Sequence, residues 1–157
     1  MNLEFVKDTA HTLVFSDYSE QEITAFETKN MTANYHSFAI SPELFEQDQG
    51  LRYFWDVTSI SYMPDGRAFV ASIEAKDYPF FATQFHPEKP NSIFFDNVGL
   101  NHSWESIQTL QGFSKLLLRM SRNNLNSFGN YFETQPYLIS NYDLINTRTK
   151  FDDVYVF

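Results

Sequence analysis

The sequence predicts an α/β fold, and three observations carry that reading. Two β-rich runs meet at Pro64-Asp65-Gly66, an apolar stripe of helical period runs from Ser103 to Arg122, and a helix-opening signature stands at Ser19. These signals fall within one chain of 157 residues, 43% hydrophobic and 20% charged, the size and balance of one globular domain over 1–157. A chain of this length buries roughly two-thirds of its unfolded surface, so it needs no disulfide or metal staple. No internal repeat, low-complexity run or linker divides it.

The elements follow in order. Ser19-Glu20-Gln21-Glu22 has the form of a capping box, in which hydroxyl and carboxylate each satisfy an orphan N–H, and it opens a short helix through Phe26. Ser41-Pro42-Glu43 combines an N-cap, a first-turn proline and a first-turn acid; the helix over Glu43–Gln47 is expected to stop at Gly50. Val57, Ile60 and Tyr62 lead into the Pro-Asp-Gly turn, and Phe69, Val70 and Ile73 follow, which predicts a hairpin. The aromatic run Tyr78 to Phe85 predicts a mostly buried strand ending at His86-Pro87, because proline cannot continue a ladder. In the long helix Trp104, Ile107, Leu110, Phe113, Leu117 and Met120 recur at three and four residues, with Ser103 as cap and Arg119 and Arg122 near the negative pole. The apolar tail ending in Val154-Tyr155-Val156-Phe157 is expected to dock as a strand or extended segment.

Composition excludes several functions. Aromatics make up 18% of the chain, which rules out a disordered tail, and the aromatic strands read as core. The net charge is −9, with no basic cluster, so binding to a nucleic-acid backbone is not expected. No stretch approaches the ~20 apolar residues of a membrane span. No basic region followed by an apolar one opens the N-terminus, so no signal peptide is visible there. Sequons stand at Asn30 and Asn101. With no cysteine, the chain offers neither a disulfide nor a thiol nucleophile.

The segment richest in chemistry is Gln84-Phe85-His86-Pro87-Glu88-Lys89. A histidine at a strand's end, with a carboxylate two residues on, is the base and orienter of a nucleophilic triad: the acid holds one imidazole nitrogen and fixes the tautomer. An exposed loop histidine beside a surface acid satisfies the same tripeptide.

FATQFHPEK resembles the histidine–glutamate signature of class I glutamine amidotransferase-like hydrolases, and more narrowly of γ-glutamyl hydrolases. Thr32-Ala33-Asn34-Tyr35-His36-Ser37 is similar to that family's TANFH segment. The Asp65-Gly66 hairpin, Glu74-Ala75, Tyr78-Pro79, the Gly99-Leu100-Asn101-His102 loop and the C-terminal tail follow in the family's order. The resemblance covers nearly the whole chain and is to the C-terminal half of such an enzyme. It implies a portion of a three-layer α/β/α, flavodoxin-like domain from which the nucleophile half is absent.

The resemblance further implies that His86 is the catalytic base for a cysteine, that Glu88 is its partner, and that His36 is a second active-site histidine handling substrate. His11 and His102 have no counterpart in the motifs. No cofactor or metal is implied. The substrate implied is a γ-glutamyl peptide or folate polyglutamate, and the implied setting is lysosomal or secreted. No glycine flanks a serine or threonine as a nucleophile elbow requires, so no hydroxyl replaces the missing thiol. A partner is therefore expected, either a second polypeptide carrying the nucleophile half or a larger assembly. The isolated chain is expected to be inactive. The alternative is a truncated, non-catalytic homologue serving as a structural or binding subunit. His36 is further expected to face the same cleft as His86.

Overall fold

Four strands lie side by side in chain order and pair antiparallel throughout: β1 (Glu4–Phe5), β2 (Trp55–Tyr62), β3 (Ala68–Ala75) and β4 (Phe81–Thr83). The computed structural model describes residues 1–94, 99–146 and 153–156. Residues Met1–Arg122 form one compact unit and Asn123–Phe157 a second.

The β2–β3 hairpin forms where the sequence predicts it. Gly66 adopts φ +86°, its N–H donates to the Met63 carbonyl at 2.9 Å, and the Met63 N–H donates to the Arg67 carbonyl at 2.9 Å. A side chain at that φ would be strained, which is why the turn carries glycine. Register shifts around Ser59 mark an irregularity in β2, and Thr58, Ser59 and Ser72 share hydroxyl hydrogen bonds in the buried sheet.

Both predicted caps are present. Ser19 and Glu22 make the reciprocal capping-box bonds of α1 (Glu20–Thr28). Ser41 Oγ accepts from the Leu44 N–H at 3.2 Å to open α2 (Pro42–Gln47). Gly50 does not end that helical stretch. Asp48 closes α2 and caps α3 (Gln49–Phe54), its carboxylate accepting from the Leu51 N–H at 2.9 Å, so Gly50 lies inside a second helix. The stop is an aspartate recapping the chain, which a glycine-based reading overlooks.

Only three residues of the expected strand Tyr78–Phe85 enter the sheet. Tyr78 and Phe80 are more than half exposed, stacked with each other and with Phe54. Ring stacking at the sheet margin takes the place of burial there, while Phe85 does reach the core. Beyond the end of β4 the chain at Ile40 takes over the edge, accepting from the Val70 N–H at 2.9 Å.

After the short α4 (Lys89–Ser92), the long helix α5 runs Trp104–Arg122, with Ser103 Oγ accepting from the Ser106 N–H. Its buried face is Ser106, Thr109, Leu110, Phe113 and Leu116. This face is rotated from the expected one: Trp104 and Leu117 are exposed, while the small Ser106 and Thr109 are buried beside Leu110 and Phe113. Phe113 stands edge-on to Phe15, Phe26 and Phe85 at ring separations of 6.0, 6.4 and 5.7 Å. Together with Phe69 and Ala71 of β3 these rings form the core. Edge-to-face geometry lets the ring quadrupoles attract and adds to burial.

The second unit holds α6 (Tyr131–Thr134), capped by Asn130, and two single-turn 3-10 segments. Its last elements, β5 (Leu144–Asn146) and β6 (Asp153–Tyr155), pair antiparallel with Ile145 opposite Val154. The tail thus forms a strand as expected; Phe157 lies outside the described residues.

Candidate active site

His86 is placed by its backbone. Its N–H donates to the Ala33 carbonyl at 2.8 Å in an isolated antiparallel bridge, and the preceding Phe85 is buried. Pro87 has no N–H to extend the pairing, and the chain turns at Glu88, in helical geometry (φ −79°, ψ −27°), into α4. That turn returns the Glu88 carboxylate to the imidazole, with Nδ1 and Oε1 2.8 Å apart. Both side chains remain partly solvent-exposed, His86 at 43% and Glu88 at 59%. A carboxylate that is ionised accepts hydrogen bonds only, so in a neutral imidazole this contact selects the tautomer with the proton on Nδ1 and the lone pair on Nε2. The ring of Tyr35 stands edge-on to His86 at 6.2 Å, and Lys89 Nζ lies 4.9 Å over Tyr35.

His36 is placed differently. Its Nε2 lies 3.0 Å from Asn34 Oδ1, and its ring is edge-on to Phe69 at 5.2 Å. It lines an open cleft of about 410 Å³ together with Phe38, Met63, Arg67 and Phe69. His86 is not among the residues lining that cleft. The two neighbours Tyr35 and His36 meet different partners: Tyr35 meets the His86 ring, His36 the hairpin strand β3.

The remaining histidines have local partners. His11 Nδ1 lies 2.9 Å from Asp8 Oδ2, and His102 Nδ1 lies 3.0 Å from the Pro90 carbonyl with its ring stacked on Phe94. Among the described residues no group of three or more histidines and carboxylates could hold a metal ion.

The surroundings of Glu74 and Tyr18 were not foreseen from the sequence. Glu74 is 5% exposed, and its two carboxylate oxygens accept from the N–H groups of Leu13 (2.8 Å) and Val14 (2.7 Å). The available signal was a charged residue within the apolar strand Phe69–Ala75. Tyr18 packs its ring against Phe15, Phe26 and Phe113, and its buried hydroxyl has no hydrogen-bond partner. Burial and the nearby Glu22 and Asp17 charges push its phenol well above the ordinary tyrosine range.

Residues 4–96, more than half of the sequence, match the glutamine amidotransferase class-I family. The chain belongs to that family. Its similarity to individual proteins is to γ-glutamyl hydrolases. It is 26% identical to the gamma-glutamyl hydrolase of Rattus norvegicus over 99% of this chain and 49% of the rat protein. It is 30% identical to gamma-glutamyl hydrolase B of Dictyostelium discoideum over 81% of this chain and 37% of that protein. It is 24% identical to the human gamma-glutamyl hydrolase over 100% of this chain and 50% of the human one. The chain spans about half the length, or less, of the curated relatives it matches. The class I glutamine amidotransferase match agrees with the mixed helix and strand content of the structure, an α/β fold. No helix among the described residues is long and apolar enough to cross a membrane.

Proposed function

We propose that this chain supplies the base and its orienter to a cysteine-dependent hydrolase site that cleaves γ-glutamyl bonds. The observation that carries the reading is the His86–Glu88 contact at 2.8 Å, within a chain of class I glutamine amidotransferase descent. The nucleophile comes from outside these 157 residues, which contain no cysteine. His86 Nε2 takes the thiol proton, and the thiolate attacks the γ-carbonyl carbon. The imidazolium, steadied by Glu88 at Nδ1, then gives that proton to the departing amine. In the second half Nε2 takes a proton from water, whose oxygen attacks the thioester, and returns it to the leaving thiolate. His36 handles substrate from its neighbouring cleft. The substrate class is a γ-glutamyl peptide or folate polyglutamate, and the setting a lysosome or the cell exterior.

The test is complementation. The chain alone is expected to hydrolyse γ-glutamyl peptides no faster than its His86→Ala variant. Thiol and oxyanion donors together supply most of such a rate, and an oxyanion donor alone is worth about two to three orders of magnitude. Mixing with the other half of a related hydrolase, carrying its cysteine, is expected to give His86-dependent turnover. Robust His86-dependent turnover by the isolated chain would refute the need for an external nucleophile. No turnover in any complemented mixture would favour the second reading, a non-catalytic subunit or binding module, which the absence of cysteine supports.

A further inference from the structure

We propose that Arg67 is the residue by which the His36 cleft receives a carboxylate, and that Asp65 is the positioning residue that holds its guanidinium ready. The proposal rests on the hydrolase reading for the kind of ligand, a chain of γ-linked glutamates, and names the group that recognises it.

Arg67 stands at the exit of the hairpin turn, immediately before β3, and lines the cleft of about 410 Å³ with His36, Phe38, Met63 and Phe69. Asp65 grips it twice. One carboxylate oxygen accepts from the Arg67 backbone N–H at 3.1 Å, and the other takes both Nε and Nη2 of the guanidinium at 2.8 Å each. The pair is well exposed, and an exposed ion pair contributes little to stability, of order 0–1 kcal/mol. Its consequence is geometric. A free arginine samples many rotamers, whereas here one edge of the planar fork is committed to Asp65 and the edge bearing Nη1 lies outside the pair. Such an edge matches a second carboxylate, as a lysine's point charge does not.

Charge makes this residue necessary. The chain carries −9 overall, so an anionic ligand meets a repelling field, and Arg67 is the only lysine or arginine among the described residues that line the cleft. The cleft's anion, Glu43, is held ionised by its own backbone N–H and Ser41, which lower its carboxyl below the usual range. Arg67 and Glu43 both line the cleft, so a ligand carboxylate has one cationic partner there and one anion to avoid. The apolar wall of Phe38, Met63 and Phe69 covers the methylenes between successive carboxylates.

The experiment titrates the 157-residue chain with γ-glutamylglutamate and with the same dipeptide amidated at its carboxylates, followed by the backbone amide resonances of Ser37 and Ala68. The acid is expected to bind at least tenfold tighter than the amide. Arg67→Gln is expected to erase that preference while the urea midpoint stays unchanged, and Arg67→Lys to keep only part of it. Asp65→Asn is expected to narrow the acid-over-amide ratio, which a merely structural turn residue would leave alone. Equal binding of acid and amide, undetectable binding of the acid, or a preference that survives Arg67→Gln would overturn the proposal. Failed complementation with Arg67-dependent binding intact would remove the hydrolase reading alone. Active complementation with Arg67-independent binding would remove this proposal alone.

Discussion

His86 and Glu88 meet at 2.8 Å because Pro87, between them, ends the pairing and turns the chain into α4. The contact is local, two residues across one proline, on a backbone anchored by the His86 N–H to the Ala33 carbonyl. Its partial exposure has a consequence for magnitude. Water competes for both partners, and the orienter's effect is smaller than that of a fully buried acid. In a complemented, active mixture His86→Ala is expected to lower kcat/KM by about 10²–10⁴-fold, the range for a general acid–base group. Glu88→Gln is expected to lower it by about tenfold to a hundredfold, less than loss of the base itself. A Glu88→Gln variant as active as wild type in a steady-state assay would show that the imidazole is oriented by something else.

Glu74 predicts a stability effect far from any chemistry. Replacing it with alanine leaves the Leu13 and Val14 N–H groups without acceptors, at a cost of about 2–4 kcal/mol for two unmet donors, one of them buried. Glu74→Gln keeps one acceptor oxygen and is expected to fall between. Urea denaturation read by circular dichroism measures both, and an alanine variant within 0.5 kcal/mol of wild type, roughly the scatter of neutral surface changes, would contradict the clamp.

Tyr18 predicts alkaline sensitivity. Its folded-state phenol titrates above the unfolded value near 10, so the folded protein holds the proton more tightly than the unfolded chain. The stabilisation is complete below pH 10 and is lost as pH rises beyond it, by up to about 1.4 kcal/mol per pH unit. Tyr18→Phe is expected to remove that slope above about pH 10, and to cost little at neutral pH because the hydroxyl has no partner. The same packing explains Gly112: a Cβ there would collide with the Tyr18 ring and hydroxyl. Gly112→Ala is expected to destabilise by about 1–3 kcal/mol through overpacking, and to be partly rescued by Tyr18→Phe in a double-mutant cycle.

Gly66 isolates backbone strain from packing. It sits at φ +86° with nothing within 4 Å of where a Cβ would stand. Gly66→Ala is expected to cost about 1–2 kcal/mol and Gly66→Asn less, since asparagine tolerates the left-handed region. Thermal unfolding of the two variants measures the difference; equal stability of Gly66→Ala and wild type would mean the turn had changed type.

Sequence alone determined what short-range physics determines. Ser19 with Glu22, Ser41 with Pro42, the Pro64-Asp65-Gly66 turn and the His86-Pro87-Glu88 corner each satisfy their hydrogen bonds or dihedrals within a few residues, so their outcome is written where they stand. The family was legible for the same reason, because its signatures are contiguous strings. Tertiary structure decided whatever depends on partners dozens of residues away. The stripe of α5 was legible, yet its buried face took in Ser106 and Thr109 and left Trp104 and Leu117 exposed, since periodicity does not say which flank of a stripe meets the core. Tyr78 and Phe80 look like core in a linear reading and end up stacked on Phe54, since a run of rings carries no mark of which face is covered. Glu74 found its donors 60 and 61 residues away, and His36 found β3 while its neighbour Tyr35 found His86. Burial, charge pairing and cleft lining are properties of surfaces brought together, and they exist only once the chain has closed on itself.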